Sequence, residues 1–287
     1  MLRTKSPVQA LTTADRDDAL ELCCRDLASN VFVAARILEG VLSSQPGTLL
    51  GYREGGRLEA MCWASANLVP VEADEPSIGA FADRVRRWRR HCASILGPSE
   101  QVGELWRLLS PSWGPARAVR PQQPLMSTMT RPSDLGVELD PRVELDPRVR
   151  PATADEVDLV MPAAAHMFTA EIGYPPYTGS GHAYRSALLS LIDRQHTYVV
   201  IEDDEVIFKA DVGSVALGCA QIQGVWLAPR LRGHGLAVPA MAAVVEQVMA
   251  ARAPWVTLYV NDFNTSARAT YAHVGFEDVG TFTTVLL

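Results

Sequence analysis

The chain reads as a mixed α/β protein, with helices and mixed sheets in two tandem domains, and three observations predict this. Its 287 residues, 48% of them hydrophobic, supply apolar material for two ordinary cores, and that length favours two domains over one. In both halves short β-branched runs alternate with longer segments of helical period. Between them Val137-Glu138-Leu139-Asp140-Pro141-Arg142 is repeated at once as Val143-Glu144-Leu145-Asp146-Pro147-Arg148. Paired prolines and alternating charge suit an extended, exposed connector, where an inserted copy costs little loop entropy. The expected domains are 1–132 and 149–287, around a linker at 133–148.

Composition narrows the function classes. A net charge of -7 argues against nucleic acid as the main partner, because phosphate neutralisation asks for a basic face. The run Arg84 to Arg90 spreads its arginines around a helix and suits a solvated face. Only Lys5 and Lys209 are lysines, a skew that fits GC-rich coding. No apolar run approaches a membrane span, and Met1 to Lys5 precede no signal-peptide core, so a cytoplasmic protein without a membrane partner is expected. The five cysteines lie at no metal-ligand spacing. Buried thiols are expected, with no disulfide framework and no metal.

In the first half Thr13 resembles a helix cap, followed by an apolar face of Ala19, Leu20, Leu22, Cys23 and Leu27. A second helix is expected from Asn30 to Leu42. Thr48 to Tyr52 and Leu58 to Ala66 flank Glu54-Gly55-Gly56-Arg57 and read as a hairpin. A helix from Ile78 to His91, an apolar run at Cys92 to Leu96, a helix from Ser99 to Leu109 and a strand near Leu125 to Met129 follow.

The second half repeats that order. A strand ends at Pro151, and Thr153 or Asp155 caps a helix carrying Val157, Val160, Met161, Ala164, Met167 and Phe168. Glu171 to Tyr177 breaks helicity, and a helix from Ala183 to Asp193 follows. Thr197 to Ile201 and Val206 to Val212 form a hairpin, then Cys219 to Leu227 a further strand. A helix from Leu236 to about Ala251 presents Met241, Val244, Val245, Val248 and Met249 on one face. Pro239 keeps its start no earlier than about Gly235. Trp255 to Val260 is a strand, Thr265 to His273 a helix stopped at Gly275, and Phe276 to Leu287 supplies closing strands.

The stretch from Val225 to Ala237 organises this half. A strand, a basic glycine-containing turn and a helix N-terminus point several N–H groups at one place, which favours a bound anion. The spacing and lysine of a P-loop are missing, and Gly233-His234-Gly235 lacks the third glycine of a dinucleotide fingerprint. A glycine turn between any strand and helix is the plainer alternative.

Arg230-Leu231-Arg232-Gly233-His234-Gly235 resembles the Arg/Gln-x-x-Gly-x-Gly/Ala loop of the GCN5-related N-acetyltransferase (GNAT) family. About thirty residues on stand Asn264-Thr265-Ser266-Ala267 and Tyr271-Ala272-His273-Val274-Gly275-Phe276, similar to the family's second motif. The match covers roughly Val149 to Leu287. The whole looks most like actinobacterial acetyltransferases with an uncharacterised N-terminal (DUF4081-like) domain. The resemblance implies tandem acyl-CoA N-acyltransferase-like domains, the C-terminal one a GNAT fold. The N-terminal copy is expected to be degenerate, because Pro70 to Pro76 is acidic where phosphates would need N–H groups and positive charge. An unrelated α/β domain is the alternative there.

The implied function is transfer of an acetyl group from acetyl-CoA, used as substrate, to a primary amine by direct attack. The amine would belong to a small molecule or peptide, and the enzyme would be a monomer or homodimer. Val225, Trp226 and Leu227 would hold the pantetheine arm, and one of their N–H groups would polarise the thioester carbonyl. The pyrophosphate would sit on Arg230, Leu231, Arg232, Gly233, His234, Gly235, Leu236 and Ala237. Asn264 and Ala267 would contact the cofactor. Tyr271 would protonate the thiolate, its plainer role being a core tyrosine beside Phe276. Gln221 and Gln223 stand where some members carry a carboxylate and cannot act as base. Glu171 is the candidate to hold or deprotonate the amine, with a surface glutamate as the plain alternative. Two other readings remain: a transferase for another acyl or aminoacyl donor, and a non-catalytic CoA-binding module.

Overall fold

The computed structural model describes residues 7–135 and 144–287, with Arg90 described by its backbone alone. The chain forms two compact units. The first comprises residues 1–126, 259–263 and 278–287, the second residues 127–258 and 264–277.

The first unit begins with β1 (Val8–Ala10), α1 (Arg16–Cys23), α2 (Leu27–Leu38) and α3 (Val41–Ser44). Asp26 caps α2 by accepting from the Ser29 N–H, and the expected single helix through Leu42 is broken at Gly40, where φ is +87°. Next come β2 (Leu49–Glu54), β3 (Arg57–Ala64), β4 (Asn67–Val71), α4 (Glu75–Val85), β5 (Ser94–Pro98), α5 (Ser99–Trp113) and β6 (Ala118–Thr128). The run expected as one strand through Ala66 turns at Ser65 into β4. β1 to β4 pair antiparallel, whereas β4 and β5 pair parallel with α4 as the crossover. Phe81, Leu105, Ile95, Leu68 and Cys62 form the centre of its core.

The second unit repeats this plan with β7 (Arg150–Pro151), α6 (Val157–Ile172), α7 (His182–Asp193), β8 (Thr197–Glu202), β9 (Glu205–Ala216), β10 (Cys219–Leu227), α8 (Ala237–Ala251), β11 (Trp255–Tyr259) and α9 (Thr265–His273). β7 to β10 pair antiparallel in turn, and β10 and β11 pair parallel across α8. Met241, Val244, Val245 and Val248 of α8 are buried, as their period requires. Each such side chain contributes about 1.5–3 kcal/mol on leaving water.

One strand remains, β12 (Glu277–Leu286). It was expected to close the second domain, but it lies between β5 and β6 of the first unit. Five register pairs run from Phe282 opposite Pro98 to Leu286 opposite Ser94, and Val285 enters the first core. The expected self-contained domain at 149–287 therefore differs from the observed division.

The first VELDPR copy, residues 137–142, lies outside the described residues. The second does not form the expected exposed connector throughout. Asp146 is buried, its N–H donates to the Pro239 carbonyl at 3.1 Å, and its carboxylate accepts from Arg148 Nε and Nη2 at 2.9 and 2.7 Å. Arg148 also pairs with Glu202. Its guanidinium holds the Asp146 carboxyl below the usual carboxylate range.

Four of the five cysteines are buried free thiols, and burial pushes the Cys62 thiol up to about 12. Cys24 is exposed, contrary to expectation, because it lies past the end of α1. Among the described residues no helix is long and apolar enough to cross a membrane, and no group of three or more His, Cys, Asp or Glu side chains could hold a metal ion.

Candidate functional site

β10 is regular only in its first part. Cys219, Ala220 and Gln221 pair with Trp255, Val256 and Thr257 of β11, and the parallel register ends there. On its other edge β10 stays on β9, but Gln223 opposes Asp211 and Trp226 opposes Lys209. Three steps along β10 match two along β9, so one extra residue is accommodated at Gly224–Val225. This is a β-bulge, and such an insertion leaves backbone groups outside the ladder. Gly224 has φ +60°, a conformation that glycine takes without steric cost. Val225 and Leu227 are half-buried and Trp226 is buried.

Beyond β10 the chain makes the turn expected from Arg230 to Ala237. Gly233 and Gly235 have φ of +80° and +75°, and a Cβ on either would meet open space. The glycines are therefore there for backbone conformation. The first N–H groups of α8 have no intrahelical acceptor, and Leu236 at its N-cap offers no side-chain one. Leu231 is half-buried, whereas Gly233, His234 and Gly235 are exposed.

Both arginines of the turn have partners within the protein. Arg230 pairs with Glu205 at 2.8 Å, and Arg232 Nε folds back to donate to the Leu227 carbonyl at 3.2 Å. Both sides of the Arg230–Glu205 pair are more than half exposed, so the link is worth little and competes weakly with any anion in the turn.

α9 carries the second motif. Asn264 accepts from the Ala267 N–H at 3.2 Å and caps the helix, which commits one side-chain oxygen and leaves the amide NH₂ as donor. At the other end the Phe276 N–H donates to the Tyr271 carbonyl and the Gly275 N–H to the Ala272 carbonyl. This is a Schellman closure. It accounts physically for the Tyr-x-x-x-Gly-Phe spacing. Tyr271 is buried, with its ring 6.0 Å from that of Phe276. Burial first, and the Glu171 carboxylate second, raise its phenol well above the ordinary value. That coupling brings the two expected catalytic groups into one neighbourhood, although Glu171 is exposed at the end of α6.

Residues 166–276 match the Acetyltransferase (GNAT) family. This segment is a GNAT domain. Residues 47–160 match a domain of unknown function, DUF4081. No curated protein matches the chain. Among solved structures it is similar to a tandem GNAT protein from the clavulanic acid biosynthesis pathway, at 14% identity over 97% of this chain and 98% of that one, with a TM-score of 0.56. A GCN5-related N-acetyltransferase from Sphaerobacter thermophilus gives 15%, 98%, 96% and 0.56. A Drosophila protein gives 12%, 98%, 99% and 0.64. At these identities the likeness is one of fold. Family and fold together support acyl transfer as the chemistry.

Around the bulge of the GNAT domain stand His166, Lys209 and Asp211, to which the sequence reading gave no site role. Trp226 Nε1 donates to His166 Nδ1 at 3.0 Å, which puts the proton of the neutral imidazole on Nε2. Lys209 is fully buried and pairs with Asp211, whose other oxygen accepts from Thr197 Oγ1 at 2.9 Å. Lys209 and Asp211 stand two residues apart in Val206-Ile207-Phe208-Lys209-Ala210-Asp211-Val212, so the strand period puts both on one face. A charged pair inside an apolar strand was the available signal. Gln223 opposes Asp211 and carries no titratable group.

In the first unit the β4–α4 junction occupies the place that β10–α8 holds in the second. Asp74 caps α4, accepting from the Ser77 N–H at 3.1 Å and the Ser77 hydroxyl at 2.6 Å. A cavity of about 530 Å³ beside it is lined in part by Asp74, Glu75, Glu100, Glu104 and Arg107. The helix N-terminus there already has its anion.

Proposed function

We propose that the second unit is an N-acetyltransferase that moves an acetyl group from acetyl-CoA to a primary amine by direct attack. The observation that carries this reading is the sequence of devices along one strand: β10 parts from β11, bulges at Gly224–Val225, and runs directly into the open turn at the N-terminus of α8. A strand edge that has left its ladder suits an extended pantetheine arm. The turn suits its pyrophosphate, through the N–H groups of Leu231 to Ala237 and, once released from Glu205 and Leu227, Arg230 and Arg232. Asn264 and Ala267 stand at the start of α9 for the family's cofactor contact.

In the reaction the amine nitrogen bonds to the thioester carbon, the C–S bond breaks, the amine gives up a proton and the departing sulfur gains one. Binding both reactants side by side removes most of the entropic barrier. An amine is mostly ammonium at neutral pH, so a group must take its proton. Asp211 has both oxygens engaged. Glu171 remains the candidate base, acting directly or through water, and Tyr271 the donor to sulfur. A small-molecule or peptide amine is the acceptor. Glu171 with Tyr174 and Tyr177 favours a cationic one, and the first unit contributes no CoA site.

Release of free CoA thiol from acetyl-CoA across an amine panel tests this. Tyr271→Phe is expected to lower kcat by about 10²-fold while leaving CoA binding in place. A chain that binds CoA and releases no thiol with any amine would be a binding module, and preference for a longer acyl-CoA would favour the other-donor reading.

A further inference from the structure

Burying two opposite charges costs several kcal/mol per ion, and an apolar pair of similar volume is often neutral or stabilising in its place. Stability therefore does not explain why Lys209, at 0% exposure, and Asp211, at 4%, sit on β9 beside β10. What the pair touches is the bulge. Lys209 Nζ lies 3.4 Å from the Gly224 carbonyl oxygen. A Cβ on Gly224 would come 2.9 Å from Asp211 Oδ2 and 3.3 Å from Lys209 Nζ, so the ion pair packs directly against this glycine.

The Gly224 carbonyl and the Val225 N–H belong to one planar trans peptide and point in opposite directions. The ammonium on β9 faces that carbonyl. The Val225 N–H therefore points away from the ammonium, at a place where the parallel register of β10 with β11 has already ended at Gln221 and Thr257. A cation on the carbonyl also polarises the peptide and strengthens its N–H as a donor.

We propose that Lys209, held by Asp211, is a positioning residue that fixes the Gly224–Val225 peptide so that the Val225 N–H donates to the thioester carbonyl. This rests on the acyl-CoA reading of the site and narrows the donor from Val225–Leu227 to one N–H.

The test needs no acceptor. Infrared difference spectra of the full chain with [1-¹³C]acetyl-CoA read polarisation of the bound carbonyl, and calorimetry with CoA reads binding without the acetyl group. In the wild type the carbonyl stretch is expected to move to lower wavenumber, and the Val225 amide proton to move downfield with acetyl-CoA and not with CoA. In Lys209→Met, and in Lys209→Met/Asp211→Asn, which removes the orphaned charge, most of the carbonyl displacement is expected to vanish while CoA affinity is retained. A folded variant that keeps the full displacement, or loses CoA affinity in the same proportion, overturns the inference. So does a Val225 amide indifferent to the acetyl group. Acetyl-CoA bound to the wild type with an unshifted carbonyl overturns this inference alone, whereas a wild type that binds neither acetyl-CoA nor CoA overturns the functional reading with it.

Discussion

Tyr271 and His196 are both buried titratable groups, and burial moves them in opposite senses. Desolvation raises the Tyr271 phenol, and the Glu171 carboxylate raises it further. The phenol therefore stays protonated throughout the working range, and titration of Tyr271 is expected to add no alkaline fall to kcat/KM up to about pH 10. A fall near pH 9 that disappears in Tyr271→Phe would contradict this. His196 is pushed down from 6.5 to about 4, mainly by burial and then by Arg252 and Arg194, and its Nδ1 finds no partner among the described residues. The unfolded chain takes up that proton first. This part of the stability is thus intact above pH 6.5 and is lost between 6.5 and about 4, by at most about 1.4 kcal/mol per pH unit. Urea midpoints at pH 7 and pH 5 should differ more in the wild type than in His196→Gln. Lys209 and Asp211 show where sequence reading fell short at this scale. Their spacing was visible, but which backbone carbonyl the ammonium would meet depends on a bulge, and a bulge leaves no side-chain period to read.

At the scale of elements, α9 was legible to the residue and β10 only as an unbroken strand. The difference is physical. α9 is bounded by a capping Asn264 and a closing Gly275, both chemical signals in the sequence, whereas β10 is divided by its register with β9 and β11, which depends on remote partners. Gly275 itself is doubly constrained. Its φ is +95°, and a Cβ would come 2.6 Å from Leu135 Cδ1. Gly275→Ala is expected to cost about 1–3 kcal/mol, measured by urea unfolding, and to loosen the Tyr271–Phe276 contact with it. An unchanged midpoint would mean that α9 closes by some means other than this residue. The break of the first long helix at Gly40 was missed because Glu39-Gly40 falls inside an apolar period that continues through Leu42.

The whole molecule repeats one strand order twice, which the alternating pattern of the two halves announced. What the pattern could not announce is that the first unit borrows from beyond the second. Its stitching is polar: Thr284 Oγ1 donates to Gln123 Oε1 at 2.6 Å, and Gln123 Nε2 donates to Asn261 Oδ1 at 2.9 Å, all three side chains being buried. The three residues come from the three separate stretches that make up this unit. Thr284→Val would leave the Gln123 oxygen unsatisfied, at a cost of about 1–3 kcal/mol. Hydrogen exchange at β5 is expected to accelerate in that variant, and unaltered protection there would show the relay to be dispensable. The position of β12 also sets the order of events on the ribosome. When β6 has emerged, the slot between it and β5 is still empty, and the chain must extrude all of the GNAT domain before the strand that fills it arrives. The first unit therefore cannot be completed before β12 has been made.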